Sequence, residues 1–199
     1  DGLRRARLHT ISDLVVGALT VTPMFPTPAD AVTASVVLHE MGHVVGIGVL
    51  WDTFGLVANP SLPSSFGADT HLTGPLAIAA FNAAGGTGDA GGAVVPVENM
   101  LGEGSGDSHW REDPVDTELM TPSLNSGQCN PLSAISIQSL ADMGYTVDVG
   151  QADAYSKAFT GPPRAPAPGT RMIDISDDVL RTPIMVVDEK GRLIRVIVE

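Results

Sequence analysis

The chain has a single cysteine, Cys129, among 199 residues, so no internal disulfide can form. With no evident histidine partner, this thiol reads as a buried or incidental side chain and not as a nucleophile. No apolar run approaches the roughly 20 residues that a bilayer-spanning helix requires, so no transmembrane segment is expected. No signal peptide is visible, and the chain opens on Asp1 instead of methionine, which reads as a processed or cut polypeptide. Basic residues are scarce: 11 Lys and Arg face 23 Asp and Glu, a formal charge of −12. Nucleic acid phosphates would be repelled and no basic patch offsets the repulsion, so that class of partner is set aside. Aromatic residues make up only 5%, whereas 22 Gly and 15 Pro point to a loop-rich molecule. Hydrophobic residues at 43% and charged residues at 17% still describe an ordinary globular chain, long enough for one domain or slightly more with a real core.

Histidine is scarce as well, yet two of the five fall in one pentapeptide, His39-Glu40-Met41-Gly42-His43. This is the H-E-x-x-H pattern. On a helix, residues i and i+4 share a face, so His39 and His43 can present two imidazoles to one zinc ion. Glu40 sits about 100° further round the helix, placed to reach a metal-bound water without itself binding the metal. The competing interpretation is an amphipathic helix with two solvated histidines. It fits poorly, because both flanks are apolar and a buried helix carries such groups only when something pairs with them. Gly46 and Gly48 follow His43 closely, and glycine readily takes the left-handed conformation that ends a helix, so the helix is expected to stop there. A third protein ligand must then come from elsewhere. His9, His71 and His109 are the remaining histidines, although His71 reads more readily as a surface residue. Glu98, Glu103, Glu112 and Glu118 are rivals, since some zinc sites take a downstream glutamate.

Further along, Ser108-His109-Trp110-Arg111 is followed by Glu118-Leu119-Met120-Thr121-Pro122. H-E-x-x-H-x-x-G, a long insertion, a His-Trp segment and Glu-Leu-Met-x-Pro together resemble the leishmanolysin-like metzincins, a group of zinc metallopeptidases. Val95-Pro96-Val97-Glu98-Asn99 before His109, with Asn130-Pro131-Leu132-Ser133 and Asp142-Met143-Gly144-Tyr145 after it, extend the similarity over about residues 34–149. In most metzincins the third histidine lies three residues beyond the glycine, where this chain has Val49. The leishmanolysin group inserts several tens of residues there, and 62 residues separate Gly46 from His109. The resemblance therefore implies His39, His43 and His109 as Zn²⁺ ligands, with a water in the open fourth position. It also implies Glu40 as general base, Gly46 as the turn after the helix and Met120 as a structural methionine turn beneath the metal. Pro122 stands where some metzincins carry a tyrosine that touches the metal, so no such ligand is expected. By the same resemblance the substrate is a polypeptide and the enzyme is often secreted or surface-bound.

Taken in order, Ile11–Val21 reads as a strand and about Ala31–Val45 as a helix capped by Asp30, apolar nearly all round and so expected to be buried under a sheet. Pro75–Ala84 reads as a short helix closed by Gly85-Gly86. Residues 85–106 hold eight glycines around a possible strand at Val94–Val97 and form a loop leading to His109. Ile135–Met143 reads as a helix with Ser133 or Ser136 as cap and Gly144 as stop. Residues 184–187 and 193–198 flank Asp188-Glu189-Lys190-Gly191 as a β-hairpin in which nothing points to chemistry. The expected organisation is a catalytic domain over 1–160, a Pro-rich linker over 161–170 and a hairpin segment over 171–199. The expected fold is α+β and metzincin-like: an active-site helix under a small sheet that is short for the group, then a loop-rich C-terminal subdomain bearing the methionine turn. The expected function is zinc-dependent endopeptidase. A non-catalytic zinc-binding module is the alternative, because only about 30 residues precede the helix where metzincins place a sheet of several strands.

Overall fold

The computed structural model describes residues 28–62, 67–125, 130–157, 172–179, 184–188, 190 and 192–197. The strand expected over 11–21, His9, Cys129 and the Pro-rich stretch lie outside these residues.

Helix α1, Pro28–Val45, is the longest element. It starts ahead of the expected Asp30 cap, with proline in the first turn, where a missing N–H leaves no helical bond unmade. Its end is a Schellman turn: Ile47 N–H donates to Gly42 C=O at 3.0 Å and Gly46 N–H to His43 C=O at 3.0 Å. Gly46 carries the positive φ of 114° that this turn requires. The face bearing His39 and His43 is buried, while Val37 and Val44 on the opposite face are 52% and 82% exposed. The expectation of a helix buried all round under a sheet is corrected on this point.

The sheets are small and antiparallel. Strands β1 (Val57–Ala58), β2 (His71–Leu72) and β3 (Val95–Pro96) form one in that order. Helix α2, Pro75–Phe81, begins on proline as expected and runs on through a wider turn over Asn82–Gly86, broken at Gly85 with φ 104°. Helix α3, Ala134–Asp142, is capped by Ser133, whose Oγ accepts from Ile135 N–H at 3.1 Å. The two helices pack together, and the Asp142 carboxylate accepts from Leu76 and Ala77 N–H at the start of α2. Behind α3, Tyr145 donates its hydroxyl to Val45 C=O at 2.7 Å and so ties the end of α1 to this layer.

Strand β4, Ser123–Asn125, follows directly from Met120 and pairs with β5, Met172–Asp174. The C-terminal hairpin forms as expected from β6 (Ile184–Val187) and β7 (Leu193–Ile197), with an irregularity between Val186 and Val187. Among the described residues it pairs with no third strand. One core runs through the α1 exit, the β2–β3 region, the segment around Met120 and α3, with Trp51, Phe81, Trp110, Leu119, Met120 and Ile135 fully enclosed. The class is α+β. No helix among the described residues is long and apolar enough to cross a membrane.

Candidate metal centre

Each of three histidines is aimed by a different piece of chain, and all three are tied down in the same way. His39, on α1, has its Nδ1 2.6 Å from the carbonyl of Leu119. His43, one helical turn on, has Nδ1 2.9 Å from the carbonyl of Ile47, which the Schellman turn folds back towards it. His109 has Nδ1 3.1 Å from the carbonyl of Ser105. A carbonyl only accepts, so the Nδ1 of His39 and of His43 carries the proton and donates it; His109 Nδ1 also lies 3.1 Å from the Ser105 hydroxyl, and the carbonyl beside it assigns the same tautomer. Each Nε2 is thereby left as a bare lone pair.

Those three Nε2 atoms converge. The separations are 3.0 Å for His43–His39 and 3.1 Å for both His39–His109 and His43–His109. Three lone pairs this close repel one another, and protonating more than one would crowd imidazolium charges into a site where His39 and His109 are fully buried. Burial itself lowers the pKa of His109, as do His43 and His39, with Asp178 opposing. A divalent cation resolves the conflict. Nitrogens bound tetrahedrally at about 2.0–2.1 Å lie roughly 3.3 Å apart, close to the observed triangle. Imidazole ligands further oriented by hydrogen bonds to carbonyls are the usual build of such centres.

A fourth group completes the cluster. Asp178 places Oδ2 2.9 Å from His39 Nε2 and 3.7 Å from His43 Nε2, with Oδ1 3.4 Å from His109 Nε2. Both oxygens are buried and neither has a hydrogen-bond partner. The ligand atoms of His39, His43, His109 and Asp178 lie within 4.8 Å of one another, a group that can hold a metal ion. The sequence reading missed Asp178 and left the fourth position to water. Only the pair Asp177-Asp178 was there to be noticed, and nothing in its spacing distinguishes it from Glu112-Asp113 or Asp188-Glu189.

The rival ligands are elsewhere. Among the described residues, the cluster includes none of Glu98, Glu103, Glu112, Glu118 and His71. Glu98 Oε1 accepts from Asn99, Met100 and Leu101 N–H and closes its own turn. His71 lies on β2 with Nδ1 2.6 Å from Asp69 C=O. Glu112 is half-buried, and its carboxyl is raised to about 7 by burial, with a hydrogen bond from Thr121 opposing. Glu118 is fully enclosed: Oε2 accepts from Met120 N–H at 2.6 Å, and Oε1 from Ser133 N–H, Ser133 Oγ and Ser136 Oγ at 3.0, 2.8 and 2.7 Å. Burial raises its pKa and these four donors pull it back. Ser136 also accepts from Trp110 Nε1 at 2.8 Å. Glu118 is thus the internal post on which the Met120 segment, α3 and the residue after His109 are hung.

Glu40 stands half-buried on α1 beside His39, outside the four-residue cluster. Met120 lies directly under the helix. A Cβ built on Gly42 would come within 2.6 Å of Met120 Sδ, so glycine in the middle of the pentapeptide is what lets the methionine pass. Gly48, at φ 78°, lies against the backbone of Ser108 and leaves no room there for a side chain. His109 itself is held in a short ladder: its carbonyl accepts from Glu98 N–H at 2.9 Å, and Trp110 N–H donates to Met120 C=O at 3.0 Å. Asp107 braces the approach, its carboxylate accepting from Ser61 N–H, Ser61 Oγ and Leu62 N–H. Comparison of the chain with models of protein families and with curated proteins finds no match in either.

Proposed function

We propose that this chain is a zinc-dependent endopeptidase of the leishmanolysin-like metzincin type, with His39, His43 and His109 as the metal-holding histidines and Glu40 as the catalytic base. The observation that carries the reading is the triangle of three Nε2 lone pairs, 3.0–3.1 Å on a side, with every Nδ1 proton committed to a carbonyl. A bound Zn²⁺ supplies a Lewis acid for the scissile carbonyl and lowers the pKa of a coordinated water towards 7. The chain's own contribution is positional and protonic. Glu40, one residue after the first ligand, takes the proton of the attacking water at its carboxylate and passes it to the nitrogen of the leaving amine. Met120 packs beneath Gly42 and does no chemistry; with Glu118 behind it, it keeps the histidine helix and the His109 ladder at a fixed separation. The substrate class, polypeptide, rests on the resemblance in motif order, and so does an extracellular place of action.

Asp178 favours a second reading. Four protein ligands are the usual count in a structural zinc site, whereas catalytic sites leave one position open. A non-catalytic zinc-binding module fits a site in which that carboxylate never leaves. Glu40→Gln separates the two readings. In a zinc peptidase this change, made in an Asp178→Ala background so that the fourth metal position is open in both proteins compared, keeps the metal and lowers turnover by about 10²-fold or more, the scale of a positioned general base. Equal cleavage by Asp178→Ala with and without Glu40→Gln, measured on an unfolded protein substrate, would remove Glu40 from the mechanism.

A further inference from the structure

The segment that carries Asp178 is built to lie where it does. Strand β5 pairs with β4 in register Ser123–Asp174, Leu124–Ile173 and Asn125–Met172. The segment then stays attached by main-chain bonds, Ile175 N–H to Pro122 C=O and Val179 N–H to Gly104 C=O, both 3.1 Å. It therefore spans from the exit of the Met120 turn to the loop that leads into His109, crossing the mouth of the histidine triangle between them. The surface beneath it is shaped for the crossing. A Cβ on Gly104 would come within 2.6 Å of the Asp177 Cα, so the chain has no side chain at the point where the strap passes over. Gly104 has no positive φ that would demand glycine for conformational reasons. Val179 is buried at the far end. Between these anchors Asp178 turns inward, with two carboxylate oxygens that no N–H or O–H satisfies, onto three imidazoles that have no proton to offer.

We infer that residues 172–179 form a built-in strap whose Asp178 carboxylate takes the metal position that a catalytic water needs, so that the folded chain is a latent peptidase. This rests on the zinc peptidase reading given above. A carboxylate is suited to the task, because it is an oxygen ligand of the same class as water and its charge offsets that of the cation. Displacement breaks no covalent bond. It exchanges one oxygen ligand for another, and it frees the side of β4 that β5 covers, whose main-chain groups can then pair with an extended peptide in place of β5. The strap thus covers the metal and a strand edge together, and both become available when it leaves.

The test uses the full-length chain loaded with Co²⁺, a spectroscopic substitute for zinc, and titrated with azide, a small anion that binds only where a metal has an exchangeable position. The parent spectrum is expected to stay unchanged. Asp178→Ala is expected to respond to azide while keeping one metal per chain. Gly104→Ala leaves all four ligands in place and pushes on the strap backbone, and it is expected to respond as well. Polypeptide cleavage by the zinc-loaded forms should rise at least tenfold in both variants. A parent that responds to azide as strongly as Asp178→Ala would overturn the strap, because its metal would already be open. Loss of metal and fold together in Asp178→Ala, with Gly104→Ala unresponsive, would also overturn it and make Asp178 a permanent structural ligand. Variants that open to azide yet cleave nothing would leave the closure standing and remove the peptidase reading.

Discussion

Two buried carboxylates on either side of the histidines show how differently one fold treats the same chemical group. Behind them, Glu118 is fully enclosed and accepts four hydrogen bonds, from Met120, Ser133 and Ser136. In front, Asp178 has two buried oxygens and no donor. A carboxylate whose every lone pair is met by a fixed N–H or O–H is a piece of architecture. One placed against imidazoles with no proton to share has its charge answered only by a cation. The shelf behind the triangle contributes a fully enclosed acid and the strap in front a less deeply buried one, and hydrogen-bond satisfaction separates their roles.

This contrast breaks most severely at Glu118. Glu118→Ala leaves the Met120 and Ser133 N–H groups and two serine hydroxyls without their acceptor. We expect a loss of about 3 kcal/mol, which for a chain of this size lowers Tm by about 6–12 °C, read by calorimetry with the metal bound. A loss below about 1 kcal/mol would mean that water or a neighbour readily replaces the carboxylate. The front carboxylate should behave in the opposite sense once the metal is gone. Stripping the parent with a chelator is expected to lower Tm by about 5–10 °C, the scale of losing a ligand present at a hundredfold excess over its Kd. In metal-free Asp178→Asn that drop should shrink, because the variant removes an unanswered buried charge. A metal-free variant less stable than the metal-free parent would show that Asp178 has partners of its own.

The smallest effect concerns a third acid, Glu112, half-buried beside the same segment and raised to about 7 by its burial. Its ordinary value in the unfolded chain is near 4.5. Between those values the folded chain holds a proton that the unfolded chain has released, so stability falls as pH rises through this window and levels off above it. Glu112→Gln should flatten that slope, with Tm a few degrees above the parent's at pH 8 and unchanged near pH 4. A parallel slope in both proteins would assign the dependence to another group.

How much of this was legible beforehand follows from the range over which each feature is encoded. His39, Glu40 and His43 are neighbours in sequence, and helical period alone brings the two histidines to one face. The stop at Gly46 and the Ser133 cap were equally local, and each was legible as a single residue type at an element's end. His109 sits 66 residues beyond His43; spacing alone did not single it out from four glutamates, and only the likeness to a known motif order favoured it. Asp178 was not legible. Its role depends on β5 pairing with β4 and on a glycine at 104 that admits the strap, and these are tertiary facts with no periodic trace. The exposed stripe of α1 was misjudged for a related reason: Val37, Met41 and Val44 are as apolar as the buried side, so composition does not tell the two faces apart. Strands of two and three residues are likewise too short to leave an alternating pattern.

The central claim is that three Nε2 lone pairs exist to hold one metal ion. Elemental analysis of the purified, dialysed full-length chain beside His109→Ala tests it most directly. The account predicts about one zinc per parent chain and a markedly lower content in the variant, in which only His39, His43 and Asp178 are left to retain the ion through dialysis. A folded parent that has met no chelator and carries no metal would contradict it.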